Sequence, residues 1–366
     1  MAVGGLLIAP LADVYGRRKL ILASFATSTF AMILSGFVGT LVQLMALRLF
    51  VGIGIGAVLA SMAAIIAEYA PDRHRNFAVG LLYAGYPLGA IVTGFAAAVA
   101  IPAFGWQAVL TGAGAVSAAV FPLLYFALPE SMQFLVKRGN ADALGRLNMI
   151  RSRMGQSALT LMPVLPETAS KRGVAGLFSD GRARNTILLW TSMIAGFAAL
   201  WFAISWVPKL ATLAGLSTED AIYAGTSFNA GAFVGTVALG LLTARLDLRR
   251  TILFFLVFAA IAMVLLGSLD LPVGPTLLLS FVVGFLLQGG FNGIYPLAAR
   301  LYPTEVRSTG IGWTTGIGRA GAVAGPLIGG VLIEEGVSLP VIFLVFAVPA
   351  VIGGICAAAV RMNPHR

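Results

Sequence analysis

The sequence predicts an all-α protein that crosses a membrane many times, and three observations carry that prediction. The 366 residues are 59% hydrophobic and only 10% charged, against about 25% charged in a soluble domain. The apolar residues gather into runs of membrane-spanning length. The charges sit between those runs and form no basic face, so the net charge of +10 speaks for membrane topology and not for nucleic acid.

The elements follow in order. Residues 1–12 are apolar or small but would reach only about 18 Å as a helix, too short to span. They stop at PLADVYGRRK, residues 10–19, where a carboxylate (Asp13), a turn glycine (Gly16) and three cations (Arg17, Arg18, Lys19) stand together. A knot this dense between two hydrophobic segments reads as a short cytoplasmic loop joining two membrane helices. Apolar runs then occupy about 20–40, 43–69, 77–100 and 107–128, and later about 186–208, 219–243, 251–269, 274–299, 308–333 and 338–360. Each is near or above the roughly 20 residues that cross about 30 Å of hydrocarbon. Between the two sets lies a polar stretch, 129–184. Its first part, 131–154, predicts an amphipathic helix at the cytoplasmic surface. Its second part, with Pro163, Pro166 and Gly173, reads as linker.

Cations fix the orientation. When alternate loops are assigned to one side, nearly all of the 24 Lys and Arg residues fall there; Arg48 and Arg319 lie within helical runs and Lys209 on the other side. The cation-rich loops and the C-terminus are therefore expected in the cytoplasm. The stretch GLLTARLDLRR at 240–250 echoes the opening knot at the equivalent place in the second half, with Ala244 where the aspartate would fall. Two similar halves are expected: an N-terminal bundle at 1–128, a cytoplasmic connector at 129–184 and a C-terminal bundle at 185–366.

The residues able to carry chemistry are few. Asp13, Gly16, Arg17 and Arg18 form either a plain topology signal or a latch whose ion pairs break as the halves rock. Glu68, at the cytoplasmic end of 43–69, is a solvated boundary carboxylate or a partner in that latch. Gly52, Gly54 and Gly56 allow close helix approach. Arg48 lies about a turn inside the opposite boundary, where a snorkelling anchor competes with a functional role. Arg319 is the sharpest case. It lies twelve residues, about 18 Å, beyond Arg307, near mid-membrane, where a charge costs at least about 2.5–3.5 kcal/mol. No Asp or Glu falls mid-helix in this chain, so an anionic substrate or an absent partner is expected. Trp313, Thr314 and Thr315 lie within two turns of it; Gln288 and Asn292 are one turn apart; Trp201, Trp206, Asn229, Tyr83 and Tyr86 complete a set suited to a flat anion, with aromatic faces for a ring and amides for hydroxyls.

Other chemistries find no support. The match to G-x-G-x-x-G at 316–321 sits inside an apolar run and lacks the strand and acidic residue that a nucleotide site requires; its glycines read as packing residues. The lone Cys356 has no partner, His74 and His365 lie in or beside polar segments, and no hydrolase, metalloprotease or phosphate-loop motif is present. No enzyme activity, cofactor or metal is expected, and the basic residues that follow the first apolar stretch do not suit a signal peptide.

PLADVYGRRK, RLFVGIGIG, AEYAPDRHR, LPESMQFLVKRG, YPTEVRSTGIGW and GIGRAGAVAGPLIGG together resemble the aromatic acid:proton symporters of the major facilitator superfamily, over essentially the whole chain and most specifically at 302–330. LPES also occurs in sugar porters, but the proline-glutamate motif those carry after the last helix is absent. The resemblance implies two pseudo-symmetric six-helix bundles and proton-coupled uptake of 4-hydroxybenzoate, benzoate or protocatechuate. It also implies roles for Asp13, Arg48, Glu68, Arg307 and Arg319. The family's first helix with its D-G-x-D motif is absent from the sequence as written, through either a misplaced start or a real truncation, so about eleven helices are expected, the second truncated, and this form is expected to be inactive or poorly inserted. The expected partners are a small anionic aromatic substrate, protons and the lipid bilayer of the inner membrane, around a monomer. Another organic-anion or drug:proton porter, or a non-transporting remnant, is the alternative.

Overall fold

The computed structural model describes residues 1, 3–71, 75–139, 141–163, 174–269, 271–303 and 306–361. Every regular element among them is helical. Expectations resting on Arg73, His74, Pro166, Gly173 and His365 fall outside the described residues.

The chain opens with a π-turn (Gly4–Ile8) and a 3-10 turn (Ala9–Leu11) that lead into α1 (Ala12–Tyr15). Gly16 then reverses the chain at φ +98°, a conformation that a side chain resists, and α2 (Arg17–Leu34) starts directly after it. α2 ends short of the expected residue 40, in a segment carrying Gly36 and Gly39, residues that weaken a helix interior. Nine helices among the described residues are long and apolar enough to span a membrane. α2 is not one of them, because three of its 18 residues are cations in its first turn. α3 (Leu41–Tyr69), α4 (Arg75–Phe104) and α5 (Trp106–Ala127) follow the expected runs. Thr40 caps α3 by accepting from the Gln43 amide at 3.3 Å.

The polar stretch departs from expectation. In place of one amphipathic helix there are two, α6 (Met132–Arg138) and α7 (Ala141–Arg153). Ser131 caps α6, and Gly139 stops it in the left-handed conformation at φ +67°. Leu135, Ala143 and Leu147 bury the apolar faces of the pair against each other.

The second half supplies α8 (Ala183–Leu213), α9 (Thr218–Leu242), α10 (Leu248–Ser268), α13 (Arg307–Glu334) and α14 (Leu339–Ala359). The run expected at 274–299 is broken at Gly293 into α11 (Val273–Asn292) and α12 (Ile294–Leu301). Pro296 explains the break: it has no N–H to offer the Asn292 carbonyl four residues earlier.

By packing, the chain falls into two units: Met1–Tyr83 with Ala100–Thr168, and Ala84–Val99 with Ala169–Arg366. The first unit has a thin core in which Ile21, Ile65 and Leu128 are buried together. The second has an extensive one, at whose centre Phe202 and Phe346 stack with ring centroids 3.7 Å apart. The middle of α4 belongs with this second unit: Gly94 backs onto the Thr226 side chain, and the Phe95 and Tyr223 rings lie 6.0 Å apart.

Two glycine seams hold the second unit. Between α9 and α11, a Cβ added at Gly231, Gly235 or Gly284 would overlap a carbonyl oxygen of the facing helix. Between α8 and α13, Gly321 and Gly325 stand in the same relation to the carbonyls of Ile194 and Ala198, while Gly318 faces Met193 and Phe197. Gly318 and Gly321 of the nucleotide-like match are therefore packing residues, as expected of small residues in membrane helix pairs. Gly235→Ala is expected to lower stability by about 1–3 kcal/mol through overpacking. Gly240→Ala, where a Cβ meets nothing within 4 Å, is the control; thermal unfolding of the detergent-solubilised protein reads both.

Candidate functional site

The opening knot folds into a buried cluster within the first unit. Arg17, the first residue of α2, pairs with Glu68 in the last turn of α3. The pair is largely out of solvent, with the Arg17 side chain 15% and the Glu68 side chain 6% exposed. Glu68 also accepts from the Ser131 hydroxyl at 2.8 Å and from the Gln133 amide at 3.4 Å. Breaking a buried pair by removing one partner typically costs about 3–5 kcal/mol, because the other charge is left uncompensated.

Arg18 turns the other way. Its Nε donates to the Leu128 carbonyl at 2.9 Å and its Nη2 to that of Tyr125, and its guanidinium lies 5.2 Å from the centre of the Tyr125 ring. Glu130 completes the cluster, accepting through Oε1 from the Arg18 amide at 3.1 Å and from the Ser131 amide at 2.9 Å. A carboxylate at exposed amides of a helix start suits the helix dipole. Gly16 is buried beneath it, and a Cβ there would stand 2.6 Å from Glu130 Oε2. Arg17, Arg18, Gly16 and Glu68 are thus brought together as the sequence suggested, while Glu130 and Ser131 were not singled out. Their signal is the serine cap at the head of α6, with a carboxylate immediately before it.

The second knot is built differently. Asp247 stands three residues after the position of the lost carboxylate and caps α10, accepting from the Arg250 amide at 3.0 Å. Arg249 reaches Asp247 at 3.4 Å and donates to the Val360 carbonyl at 3.1 Å. Burial pulls the Asp247 carboxyl upward, but its hydrogen bonds from Arg250 and Arg249 together with the charge of Arg249 outweigh that and hold it below its ordinary value.

Within the membrane-depth part of the second unit, Arg319 lies midway along α13 and is half-buried. It makes no ion pair or hydrogen bond among the described residues. Helical geometry places it roughly 130° round α13 from the Gly318–Gly321–Gly325 seam, away from α8. Thr315, one turn earlier, shares its face and donates to the Ile311 carbonyl at 2.9 Å. Trp313 lies about 120° from Arg319 round the helix and stacks on Trp190, centroids 6.2 Å apart; Thr314 is buried.

The other expected lining residues divide. Gln288 and Asn292 are joined, the Gln288 amide donating to Asn292 Oδ1 at 3.1 Å, and Asn292 Nδ2 donating to the Thr236 hydroxyl at 2.8 Å. Thr236 was not singled out by the sequence. Asn229, two turns from Thr236 on α9, donates to the Gly225 carbonyl at 2.8 Å. Tyr86 and Trp201 face each other at 6.5 Å. Trp206 is engaged in packing, its indole N–H on the Pro326 carbonyl at 2.9 Å. In the first unit Arg48 is exposed, seven residues into α3, with its nearest polar contact the Met32 sulfur at 3.5 Å, an arrangement consistent with snorkelling. The side chains of Asp13, Tyr83 and Arg307 lie outside what the structure describes. No cluster able to hold a metal ion occurs among the described residues.

Comparison with known proteins gives a consistent picture. The Major Facilitator Superfamily profile matches residues 1–276 and 220–366. The chain is 32% identical over 368 residues to the gallate transporter of Pseudomonas putida, covering 100% of this chain and 81% of that protein. It is likewise 32% identical over 375 residues to the 4-hydroxybenzoate transporter PcaK of Acinetobacter baylyi, again covering 100% of this chain and 81% of the relative. Among solved structures, the xylose transporter XylE from Escherichia coli in a partially occluded inward-open conformation superposes with a TM-score of 0.73 at 17% identity, covering 97% of this chain and 83% of XylE.

Two outcomes follow from the knots. Gly16→Ala combines a left-handed φ with the collision at Glu130 and is expected to cost at least about 1–2 kcal/mol, read as a lower unfolding temperature than Gly139→Ala, where a Cβ has room. Because the native pKa of Asp247 is lowered, its stabilisation is present in full above the unfolded value near 3.8 and is lost as pH falls through the lower native value. The stability gap between the native protein and Asp247→Asn should therefore narrow below that pH, measured by thermal unfolding across an acid series.

Proposed function

Because the chain belongs to the Major Facilitator Superfamily, a family of multi-pass membrane transporters and not of enzymes, we propose that it imports a small aromatic carboxylate of the 4-hydroxybenzoate and benzoate class together with protons by alternating access. The observation that carries this reading is Arg319. A half-buried guanidinium midway along a membrane helix, with no carboxylate beside it among the described residues, is costly unless something negative meets it. A guanidinium takes a carboxylate through two parallel hydrogen bonds. The amides of Gln288 and Asn292 offer groups for ring substituents, and the Tyr86–Trp201 pair offers aromatic faces. The transport names of the relatives support the aromatic class.

The cluster around Arg17, Arg18 and Glu68 serves the conformational cycle of the first unit, and Gly16, Asp13 and, in the second unit, Arg307 are further candidates for gating and proton coupling. The cation distribution supports an inner-membrane orientation with the connector and the C-terminus in the cytoplasm, and we take the transporter to act as a monomer.

Uptake of radiolabelled 4-hydroxybenzoate by cells expressing the protein tests the reading, with a protonophore as the coupling control. Arg319→Ala should raise the half-saturating concentration by about 10- to 150-fold, the loss of a charge-assisted contact of roughly 1.5–3 kcal/mol. Arg319→Lys should keep a substantial part of the uptake. Unchanged uptake in Arg319→Ala, at matched membrane abundance, would remove Arg319 from the site.

A further inference from the structure

The chain of hydrogen bonds that begins at Thr236 has a fixed direction. The Thr236 hydroxyl has one proton, and it is given to the Ala232 carbonyl at 2.8 Å. Toward Asn292, then, Thr236 can only accept, and it takes the Asn292 Nδ2 hydrogen at 2.8 Å. That turns Asn292 Oδ1 toward Gln288, where it accepts from Nε2 at 3.1 Å. The Gln288 amide is left with its carbonyl oxygen as a fixed free acceptor, beside the second hydrogen of Nε2. A planar amide held by one end in this way cannot exchange a donor for an acceptor without breaking the whole relay.

Gln288 stands sixteenth in the 29-residue apolar stretch Val273–Leu301, close to its midpoint. The residue is half-buried, and its Oε1 accepts no hydrogen bond among the described residues, its one side-chain bond being the Nε2 donation to Asn292. Asn229, seven residues from Thr236 and on the same face of α9, is fixed in the same sense: its Nδ2 gives one hydrogen to the Gly225 carbonyl, which leaves Oδ1 free to accept. Two amides at membrane depth thus both present acceptors.

We propose that Thr236 is a positioning residue which, through Asn292, holds Gln288 as a hydrogen-bond acceptor, and that this acceptor selects aromatic acids bearing a ring hydroxyl over those without one. The inference rests on the transport reading above and extends it from aromatic carboxylates in general to their hydroxylated members. A ring hydroxyl donates to Gln288 Oε1. An unsubstituted ring leaves that carbonyl facing an apolar group, and an unpaired buried acceptor is penalised more than an average hydrogen bond is worth.

The test compares half-saturating concentrations for 4-hydroxybenzoate and benzoate in cells expressing the native protein, Thr236→Val and Thr236→Ser at matched membrane abundance. The native protein should favour 4-hydroxybenzoate by about tenfold. Thr236→Val keeps the shape and removes the acceptor for Asn292, so the ratio should fall to about twofold, and Thr236→Ser should restore it. An unchanged ratio in Thr236→Val, or equal loss of both substrates, would overturn the positioning role while leaving aromatic acid transport standing. A native protein that takes up neither acid would overturn both.

Discussion

A charge or a polar group at membrane depth must find its partner inside the protein, and that constraint governs the second unit of this molecule. Water is not available there to satisfy an N–H, a carbonyl or a guanidinium. Hydroxyl groups along the helices accordingly give their protons to carbonyls one turn earlier, as Thr236, Thr314 and Thr315 do. Trp206 finds the Pro326 carbonyl. The Trp190 indole N–H and the Ser280 hydroxyl are buried without a partner among the described residues, but Arg319 is the charged case, and an unpaired charge midway along a membrane helix points to a ligand.

The same constraint explains why glycine matters more than bulk in holding the helices together. Lipid tails are as apolar as leucine, so burying leucine gains little between membrane helices, and close backbone approach has to supply the attraction. The α9–α11 and α8–α13 seams do this with glycines set against facing carbonyls. The α9–α11 seam has a second consequence: with Gly231, Gly235 and Gly284 bringing the two backbones together, Thr236 reaches Asn292 at 2.8 Å. The first unit relies on a different principle. Its apolar core is thin, and the ends of α2 and α3 are tied to the segment before α6 by a charged cluster in which Glu68 and Glu130 each accept several hydrogen bonds.

How much of this was legible in the sequence depends on range. Apolar run length gave the membrane helices, because spanning imposes a minimum that composition cannot hide. The depth of Arg319 followed from counting residues along α13, and the adjacency of Gln288 and Asn292 from a spacing of four. Breaks within runs were less visible. Pro296 ends α11 through a missing donor, and Gly139 divides the amphipathic stretch, yet neither disturbs hydropathy. Contacts between distant segments were not visible at all. Glu130 lies 112 positions from the Arg18 amide it accepts from, and Thr236 lies 56 from Asn292. Trp313, placed near Arg319 by sequence separation, stands on another face of α13 against Trp190, because proximity along a helix ignores rotation about its axis.

Recognition of an aromatic acid divides into two problems with different physics. The carboxylate is common to every member of the class, so a guanidinium in the role proposed for Arg319 would supply affinity without discrimination among them. Apolar and aromatic walls add little, since a hydrophobic pocket distinguishes rings differing by one small substituent only weakly. Discrimination therefore has to come from a polar group whose donor or acceptor sense is fixed, and a free glutamine lacks that property because its amide can turn over. Fixing it requires a chain of bonds that ends on a group with no freedom of its own, and a helix carbonyl is such a group. The relay from the Ala232 carbonyl through Thr236 and Asn292 to Gln288 meets that requirement with three side chains on two helices, whose backbones the glycine seam brings together.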